Sequence, residues 1–191
     1  MTPQSGTKVT YAIDPRASQF TVQAFASGLI SAVAHSPKIA IRDWAAETTF
    51  APDSLSNAHL RVAIKAASLE VLDELRDSDR RELHRVMNQQ VLETEKFPEI
   101  VFESTNVNVE NLRESLYRAD IEGNLALHGV TNTHNFSSQV AFGMDTFRAY
   151  AEFKVLQTDY RITIASIAGG TLKLQDELKV SFYVVGRKQA S

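Results

Sequence analysis

The stretch that decides the fold is residues 93–105, which read Glu93-Thr94-Glu95-Lys96-Phe97-Pro98-Glu99-Ile100-Val101-Phe102-Glu103-Ser104-Thr105. Pro98 cannot continue a helix, and the residues from Ile100 to Phe102 strongly favour a strand. The chain before this helix–strand junction has a helical pattern, and the chain after it is almost entirely β in character. A helix followed directly by a strand in an otherwise β chain predicts a barrel that is closed at one end by the helix.

One amphipathic helix precedes the junction. Asp79 lies three residues before Glu82, which is the spacing of a capping box, where two side chains satisfy free N–H groups at the start of a helix. Apolar residues then recur at helical intervals, at Leu83, Val86, Met87 and Val91. The pattern predicts a helix over about residues 79–92 that Pro98 ends.

Most other segments alternate apolar and polar residues with the period of two that is typical of half-buried strands. The longest alternation runs from Tyr117 to Leu127, and Gly123 near its middle predicts a bend or bulge in a curved wall. Turns are predicted at Asn111–Ser115 and Gln175–Glu177. The ten segments with a strand-like pattern, about eight of which we expect to form separate strands, are Tyr11–Pro15, Phe20–Ala24, Ile39–Ile41, Trp44–Phe50, Leu60–Ile64, Val101–Val109, Tyr117–Leu127, His134–Phe142, Arg148–Leu156 and Leu178–Val185.

These elements define an all-β fold. The prediction is an antiparallel, lipocalin-like β-barrel of about eight strands, with one α-helix at about residues 79–92 inserted between strands. The chain shows no repeat and no low-complexity linker, and barrels of about 200 residues form one domain. We expect a flexible N-terminus at residues 1–10, one barrel domain at 11–186 and a C-terminal tail at 187–191. A barrel of this size can hold one small ligand.

Composition narrows the classes of function. The 20 basic and 23 acidic residues are mixed along the chain, with a net charge of −3, so no nucleic-acid partner is expected. The sequence has no cysteine, which excludes disulfides, thiolate catalysis and cysteine-ligated metals. No stretch has the ~18 apolar residues of a membrane span, and the N-terminus has no apolar signal segment of ~7–15 residues. We expect a cytoplasmic protein that is not embedded in a membrane, or a periplasmic one if a signal peptide has been removed.

Three stretches resemble, in order, the motifs of the YceI-like polyisoprenoid-binding proteins. They are Tyr11-Ala12-Ile13-Asp14-Pro15, Glu95-Lys96-Phe97-Pro98-Glu99-Ile100-Val101-Phe102-Glu103-Ser104 and Gly123-Asn124-Leu125-Ala126-Leu127-His128-Gly129-Val130-Thr131. The similarity extends from about Tyr11 to Gly186. The resemblance implies an extended lipocalin-like barrel whose elongated apolar cavity holds a long isoprenoid chain. It also implies a binding protein and not an enzyme. Dimers occur in the family, so a homodimer rests on the resemblance alone and the oligomeric state is open.

The sequence departs from the family pattern at several positions. The first strand of the family commonly carries a histidine before the serine that corresponds to Ser18, and here that position is Ala17. A second histidine of the family falls near Ala26. Residues Ala34-His35-Ser36-Pro37 stand where a glycine and an aromatic residue are more typical. Many relatives also carry a secretory signal. The resemblance therefore implies an isoprenoid or quinone-like lipid without specifying which one.

The candidate ligand-binding residues are apolar members of the alternating strands. The inner face of any barrel is apolar whether the interior is packed or hollow, and the resemblance favours a hollow interior. The candidates for the cavity wall are Phe20, Val22, Leu60, Val62, Ile64, Ile121, Leu125, Phe153, Val155, Val180 and Phe182. For a headgroup at the mouth we name His35 and Arg42. Further arginines are available, but arginines opposite an apolar strand face usually point to solvent: Arg61, Arg118 and Arg148.

Catalytic chemistry has little support in the sequence. The 5 histidines lie far apart, without the His-x-x-x-His or His-Glu-x-x-His spacing of helical metal sites, so no metal and no cofactor is expected. His128, before the turn at Gly129, is interpreted as a structural histidine bonded to a backbone carbonyl. Ser36 beside His35 lacks the Gly-x-Ser-x-Gly elbow that exposes a nucleophilic serine. No catalytic residue is predicted.

The predicted function is storage, transport or sequestration of a long-chain polyisoprenoid inside the barrel, without catalysis. Two alternatives stay open. One is an enzyme that acts on a small apolar substrate, through His35 and a nearby acid. The other is a packed barrel that holds no ligand and serves as an interaction module.

Overall fold

The computed structural model describes residues 9–27, 36–50, 58–164, 166–167 and 172–189. Within these ranges the chain forms twelve strands and one helix, which confirms the predicted all-β class. The strands are β1 (Val9–Ile13), β2 (Gln19–Ser27), β3 (Lys38–Ile41), β4 (Trp44–Phe50), β5 (His59–Lys65), β6 (Leu69–Val71), β7 (Glu99–Arg113), β8 (Leu116–Leu127), β9 (Val130–Phe142), β10 (Thr146–Leu156), β11 (Ser166–Ile167) and β12 (Leu172–Lys188). Short 3₁₀ turns follow β5 and β10, at Ala66–Ser68 and Thr158–Tyr160.

The described strands close into an eight-stranded antiparallel barrel, as predicted. The ring order is β1-β4-β5-β7-β8-β9-β10-β12, and β12 closes the ring by pairing with β1, for example Lys188 with Tyr11. The remaining strands β2, β3 and β6 continue the sheet beside the ring. Strand β2 pairs with the same edge of β12 as β1 does, but at different residues, β3 pairs with β2, and β6 pairs with β3. The strands begin at Val9 and end at Lys188, slightly beyond the predicted bounds of 11–186.

Helix α1 spans Asp77–Val86 and continues as a π-helical turn over Met87–Val91, close to the predicted 79–92. The capping box predicted at Asp79 and Glu82 is wrong, because the helix starts before Asp79. Arg76 occupies the N-cap position without a side-chain hydrogen bond to the helix. Asp79 instead lies in the first turn, where its carboxylate accepts a hydrogen bond from Arg76 Nε at 2.9 Å. An acid in the first turn is still favoured by the helix dipole.

The helix does not end at Pro98, and that part of the prediction is wrong. The helical turns end at Val91, and Glu93 then adopts a left-handed backbone conformation with a φ of 45°. A proline restricts mainly the residue before it and a carbonyl one turn earlier, so Pro98 lies too far from Val91 to set the end of the helix. The Pro98 carbonyl instead accepts a hydrogen bond from the Ala66 N–H at 2.8 Å, which attaches the junction to the turn after β5.

The two predicted turns differ from the structure. The turn predicted at Asn111–Ser115 comprises only residues 114–115, because β7 continues to Arg113. The turn predicted at Gln175–Glu177 is wrong: β12 continues through these residues, and only its register against β2 shifts there. A short run of polar residues occurs both in turns and at irregularities within strands, so composition alone could not distinguish a turn from the register shift in β12.

Gly123 lies opposite a β-bulge, in agreement with the prediction of a bend or bulge. The β7–β8 register shifts between Ser104 and Asn106, and Ser104 pairs with Gly123. A Cβ atom at Gly123 would overlap the Phe102 ring and would lie 2.5 Å from the carbonyl oxygen of Glu103. The extra residue of the bulge is therefore on β7, and Gly123 provides the space on β8 that the Phe102 ring occupies.

Aromatic side chains close the end of the barrel near the β9–β10 turn. Tyr11 stacks on Phe50 with 4.6 Å between ring centroids, and Phe147 lies 5.4 Å from Tyr11. Phe142 packs on Phe50 at 5.3 Å. Helix α1 lies at the other end of the barrel, where it contacts β6. The interior between these two ends is where a ligand could be held.

Candidate ligand-binding cavity

The barrel encloses a cavity of about 300 Å³, within the usual range of small-molecule pockets. Its wall consists of inward-facing residues of the strands and one face of α1. Strand β8 shows how the wall is built, because its alternate residues line the cavity: Tyr117, Ala119, Ile121, Leu125 and Leu127. The residues between them, such as Arg118 and Asn124, are exposed on the outer face. The interior is therefore partly hollow and its wall is almost entirely apolar.

The structure places all the predicted wall residues on this cavity. They come from β2, β5, β8, β10 and β12 and are Phe20, Val22, Leu60, Val62, Ile64, Ile121, Leu125, Phe153, Val155, Val180 and Phe182. They share the inner face because successive strand residues point to opposite faces of a sheet. That these residues contact a ligand stays a prediction.

Among the wall residues that sequence reasoning missed are two groups of large side chains. The first group is aromatic and comprises Phe50, Phe102, Phe136, Phe142 and Phe147. Strand alternation could have found these, since they lie in or beside the predicted strands. The second group is the apolar face of the helix: Leu83, Val86, Met87, Val91 and Leu92. Helical spacing identified this face, but only the fold shows that it covers one end of the cavity.

The two predicted headgroup residues are not on the described wall. His35 lies outside the described residues. Arg42 is exposed, and its Nε donates to Oε2 of Glu70 at 2.6 Å. This hydrogen bond holds the pKa of Glu70 below its usual range. The other arginines considered are exposed on the outer face, as expected: Arg61, Arg118 and Arg148. Headgroup binding by His35 and Arg42 stays a prediction.

Polar side chains are rare on the described wall, and most already have partners. Thr48 Oγ1 donates to the His59 carbonyl at 2.9 Å, and Ser138 Oγ donates to the Tyr150 carbonyl at 3.0 Å. Gln157 Nε2 likewise donates to a backbone carbonyl at 2.9 Å. The exception is His134 on β9, whose Nε2 is buried and has no hydrogen-bond partner among the described residues.

His134 is uncharged at neutral pH. Burial lowers its pKa, and the nearby Asp159 carboxylate opposes this effect only in part. Because an ordinary histidine has a pKa of about 6.5, a lowered value leaves the imidazole neutral near pH 7. The His134 ring lies 5.2 Å from the Phe153 ring, among apolar wall residues. In the described part of the chain the site is therefore an apolar cavity whose wall includes one buried, unpaired nitrogen, which suits an apolar molecule.

The helix–strand junction is attached to the β8–β9 hairpin through His128. His128 Nε2 lies 2.8 Å from Oε2 of Glu93, and His128 Nδ1 lies 3.1 Å from the carbonyl oxygen of Tyr160. Both neighbours are oxygen acceptors, so a ring nitrogen that carries hydrogen donates to the oxygen that it faces. Phe97 packs on the His128 ring with 4.6 Å between centroids. The interpretation of His128 as a structural histidine bonded to a backbone carbonyl is confirmed.

The backbone conformation of the β8–β9 turn restricts which residues can occupy it. His128 and Gly129 are its two central residues, and both have positive φ, 50° and 73°, as a type I′ turn demands. A Cβ atom at Gly129 would lie 2.5 Å from Cε1 of Phe97. Two of the three motif stretches are thus in direct contact, at the end of the barrel that α1 covers.

Substitution of His128 by asparagine should lower the free energy of unfolding by about 2 kcal/mol, since it removes the hydrogen bonding of the imidazole at the junction and the contact with the Phe97 ring. Asparagine tolerates positive φ, so the turn conformation is retained. Urea denaturation measures the effect. His59→Asn is the matched control, because His59 also faces a glutamate (Glu103, at 3.2 Å) but is exposed, and its loss should cost no more than about 0.5 kcal/mol. Equal effects for the two variants would contradict a structural role specific to His128.

The part of the chain that the structure describes contains neither a metal-binding cluster nor a membrane-spanning helix. No group of three or more metal-ligating side chains there could hold a metal ion. Nor is any helix in those ranges long and apolar enough to cross a membrane.

Comparison with known proteins gives one family and several similar folds. The sequence model of the YceI-like domain matches residues 11–186, and no curated protein matches the sequence significantly. BcnA from Burkholderia cenocepacia has a similar structure, with a TM-score of 0.70 at 15% identity over 91% of this chain and 98% of that chain. A polyisoprenoid binding domain from Saccharophagus degradans, implicated in plant cell wall breakdown, has a TM-score of 0.67 at 13% identity, over 95% of this chain and 99% of that chain. The Campylobacter jejuni YCEI protein has a TM-score of 0.60 at 19% identity, over 83% of this chain and 88% of that chain. At these identities the likeness to solved structures establishes the fold alone.

Proposed function

Since the chain belongs to the YceI-like domain family, we propose that it binds a long-chain polyisoprenoid, or a related apolar lipid such as a quinone-like isoprenoid, inside the barrel. The observation that carries this proposal is the apolar cavity of about 300 Å³. A solved structure with the same fold is that of a polyisoprenoid binding domain, which supports the choice of an isoprenoid. The role is storage, transport or sequestration of the lipid.

The apolar wall can supply enough free energy for such a role. Removing about ten methylene-sized groups from water yields about 8 kcal/mol, at ~0.8 kcal/mol for each group. That value corresponds to a dissociation constant of roughly 1 μM, before the cost of ordering the chain and the ligand. Binding can therefore rest on burial of hydrocarbon, with few polar contacts.

The proposed role involves no chemical change of the lipid. Acyl or phosphoryl transfer needs a nucleophile within reach of a base. Ser138 is the serine among the described wall residues, and its side chain is buried and donates to a backbone carbonyl. His134 also lines the cavity, but no hydrogen bond between its ring and a hydroxyl occurs among the described residues. These observations favour binding over catalysis.

Native mass spectrometry of the protein purified from its own host tests the proposal. We expect a fraction of the protein to carry a lipid, and organic extraction should release an intact isoprenoid. Protein stripped of lipid should regain the extra mass when it is incubated with polyprenol in detergent micelles. Recovery of bare protein that also fails to take up polyprenol would overturn the proposal. Release of a lipid chemically altered from the one supplied would instead favour an enzyme.

A further inference from the structure

His134, a residue of the cavity wall, carries a buried polar atom that has no hydrogen-bond partner among the described residues. Three buried side-chain atoms in the described ranges have no hydrogen-bond partner: Asn88 Oδ1, Tyr160 Oη and His134 Nε2. Of these residues only His134 lines the cavity. Folded proteins pair nearly all buried polar atoms, and an exception calls for an explanation. A molecule inside the cavity is a partner that could satisfy His134 but not the other two.

Neighbouring elements hold His134 in place. It pairs with Gly123 on β8, and its ring packs on Phe153 of β10 at 5.2 Å. The described β9–β10 ladder does not extend to His134. Instead, Asn132 Nδ2, two positions earlier on the same strand, donates to the Asp159 carbonyl of the 3₁₀ turn at 2.8 Å. His134 therefore sits in a defined orientation on the wall, near this turn.

Charge decides which chemical group can meet His134. The imidazole is neutral, as argued above, and its surroundings are aromatic and aliphatic. Bringing a phosphate into such surroundings without a cation would be strongly unfavourable. An uncharged oxygen has no such penalty. A hydroxyl can pair with Nε2 in either tautomer of the imidazole, whereas a carbonyl can pair only when Nε2 carries the proton.

We infer that His134 is a specificity residue that recognises one uncharged oxygen of the bound isoprenoid, a hydroxyl or a carbonyl, through Nε2. This inference rests on the proposed function and deepens it by naming the chemistry of the ligand's polar end. The polar end lies near the Thr158–Tyr160 turn. The hydrocarbon extends from there along the apolar wall.

The test compares three probes that share one isoprenoid chain: farnesol, farnesal and the hydrocarbon farnesene. Binding can be followed by the fluorescence of Trp44, the one tryptophan in the sequence, because its ring lies 4.7 Å from the ring of the wall residue Phe20. The wild type should bind at least one oxygenated probe about tenfold more tightly than farnesene, as one hydrogen bond to an otherwise unpaired atom provides. H134L should lose this preference and still bind farnesene. Preference for farnesol alone identifies a hydroxyl, and preference for both oxygenated probes identifies Nε2 as a donor.

Two further variants keep the test decisive. F136L changes the packing of the same strand at the next inward position, and it should alter the affinity for all probes by the same factor. H134Q keeps a donor and an acceptor and should retain part of the preference, while thermal melting confirms that each variant folds. Equal wild-type affinity for the three probes would overturn the inference and leave the proposed function standing. Failure of all probes to bind would count against the proposed function itself.

Discussion

Substitution of Val180 by tryptophan is expected to abolish lipid binding while the barrel stays folded. Val180 lies on β12 and pairs with Phe153 of β10 and Val22 of β2, and all three residues line the cavity. An indole at this position projects into the space that the lipid would fill. If it displaces about four methylene groups, the loss is about 3 kcal/mol, or more than a hundredfold in affinity.

The stability of this variant distinguishes a hollow interior from a packed one. Adding a large side chain to a packed core costs about 1–3 kcal/mol. In a hollow interior the indole fills existing space, so the free energy of unfolding should fall by less than about 1 kcal/mol. Severe destabilisation would indicate that Val180 faces packed side chains, which is the packed-barrel alternative.

Lys154→Trp is the matched control for Val180→Trp. Lys154 is the outward neighbour of Phe153 on β10, and its Nζ pairs with Glu177 on the surface at 3.0 Å. The control adds the same side chain to the same wall, but on the outside, so lipid uptake should be unchanged. Uptake of polyprenol, measured by native mass spectrometry, compares the two variants. Normal uptake by Val180→Trp would place the lipid somewhere other than the barrel interior.

Replacement of Gly123 by valine should lower the free energy of unfolding by about 3 kcal/mol, the upper part of the range for overpacking. Strand propensity predicts the opposite sign, since valine favours strands and glycine does not. The steric clash outweighs this propensity, because a Cβ atom would overlap the Phe102 ring and would lie 2.5 Å from the carbonyl oxygen of Glu103. The ring could rotate into the cavity, but the carbonyl is part of the backbone of β7, which pairs with β5 on one side and β8 on the other, so it cannot move without disturbing the sheet.

Chemical denaturation of three proteins tests this prediction. Glu122→Val, at the exposed neighbouring position on the same strand, supplies the propensity of valine without the clash and should be neutral or slightly stabilising. Combining Gly123→Val with Phe102→Leu should recover part of the loss, with a coupling energy of about 1 kcal/mol. If Gly123→Val proved as stable as Glu122→Val, the close approach of Phe102 could not be the reason for the glycine.

The junction shows where sequence reasoning succeeded and where it failed. The strand formers after Pro98 correctly located the start of β7, because strand propensity acts locally. The end of the helix was predicted within one residue, but its cause was wrongly assigned to Pro98. Glu93 takes a left-handed conformation for which a glutamate gives no sequence signal. It is held there by tertiary contact with His128, a residue far along the chain.

The cavity shows the same division. Alternation correctly assigned the inner face for every predicted wall residue, since the period of two is a property of each strand alone. No periodic pattern of the sequence identified the residues that would bind a headgroup. Arg42 lies outside, paired with Glu70, and His134 had no pattern that distinguished it from any other strand histidine.

By itself, the sequence determined the β class, the single helix, the faces of the strands and the family to which the chain belongs. Only the tertiary structure decided that the interior is partly hollow, that α1 covers one end, and that among the described residues His134 Nε2 has no partner while both nitrogens of His128 do. The physical reason is the separation along the chain of the residues that interact. Propensity and periodicity depend on neighbours along the chain, whereas the width of a barrel and the partners of a buried side chain depend on the register between strands that are distant in sequence.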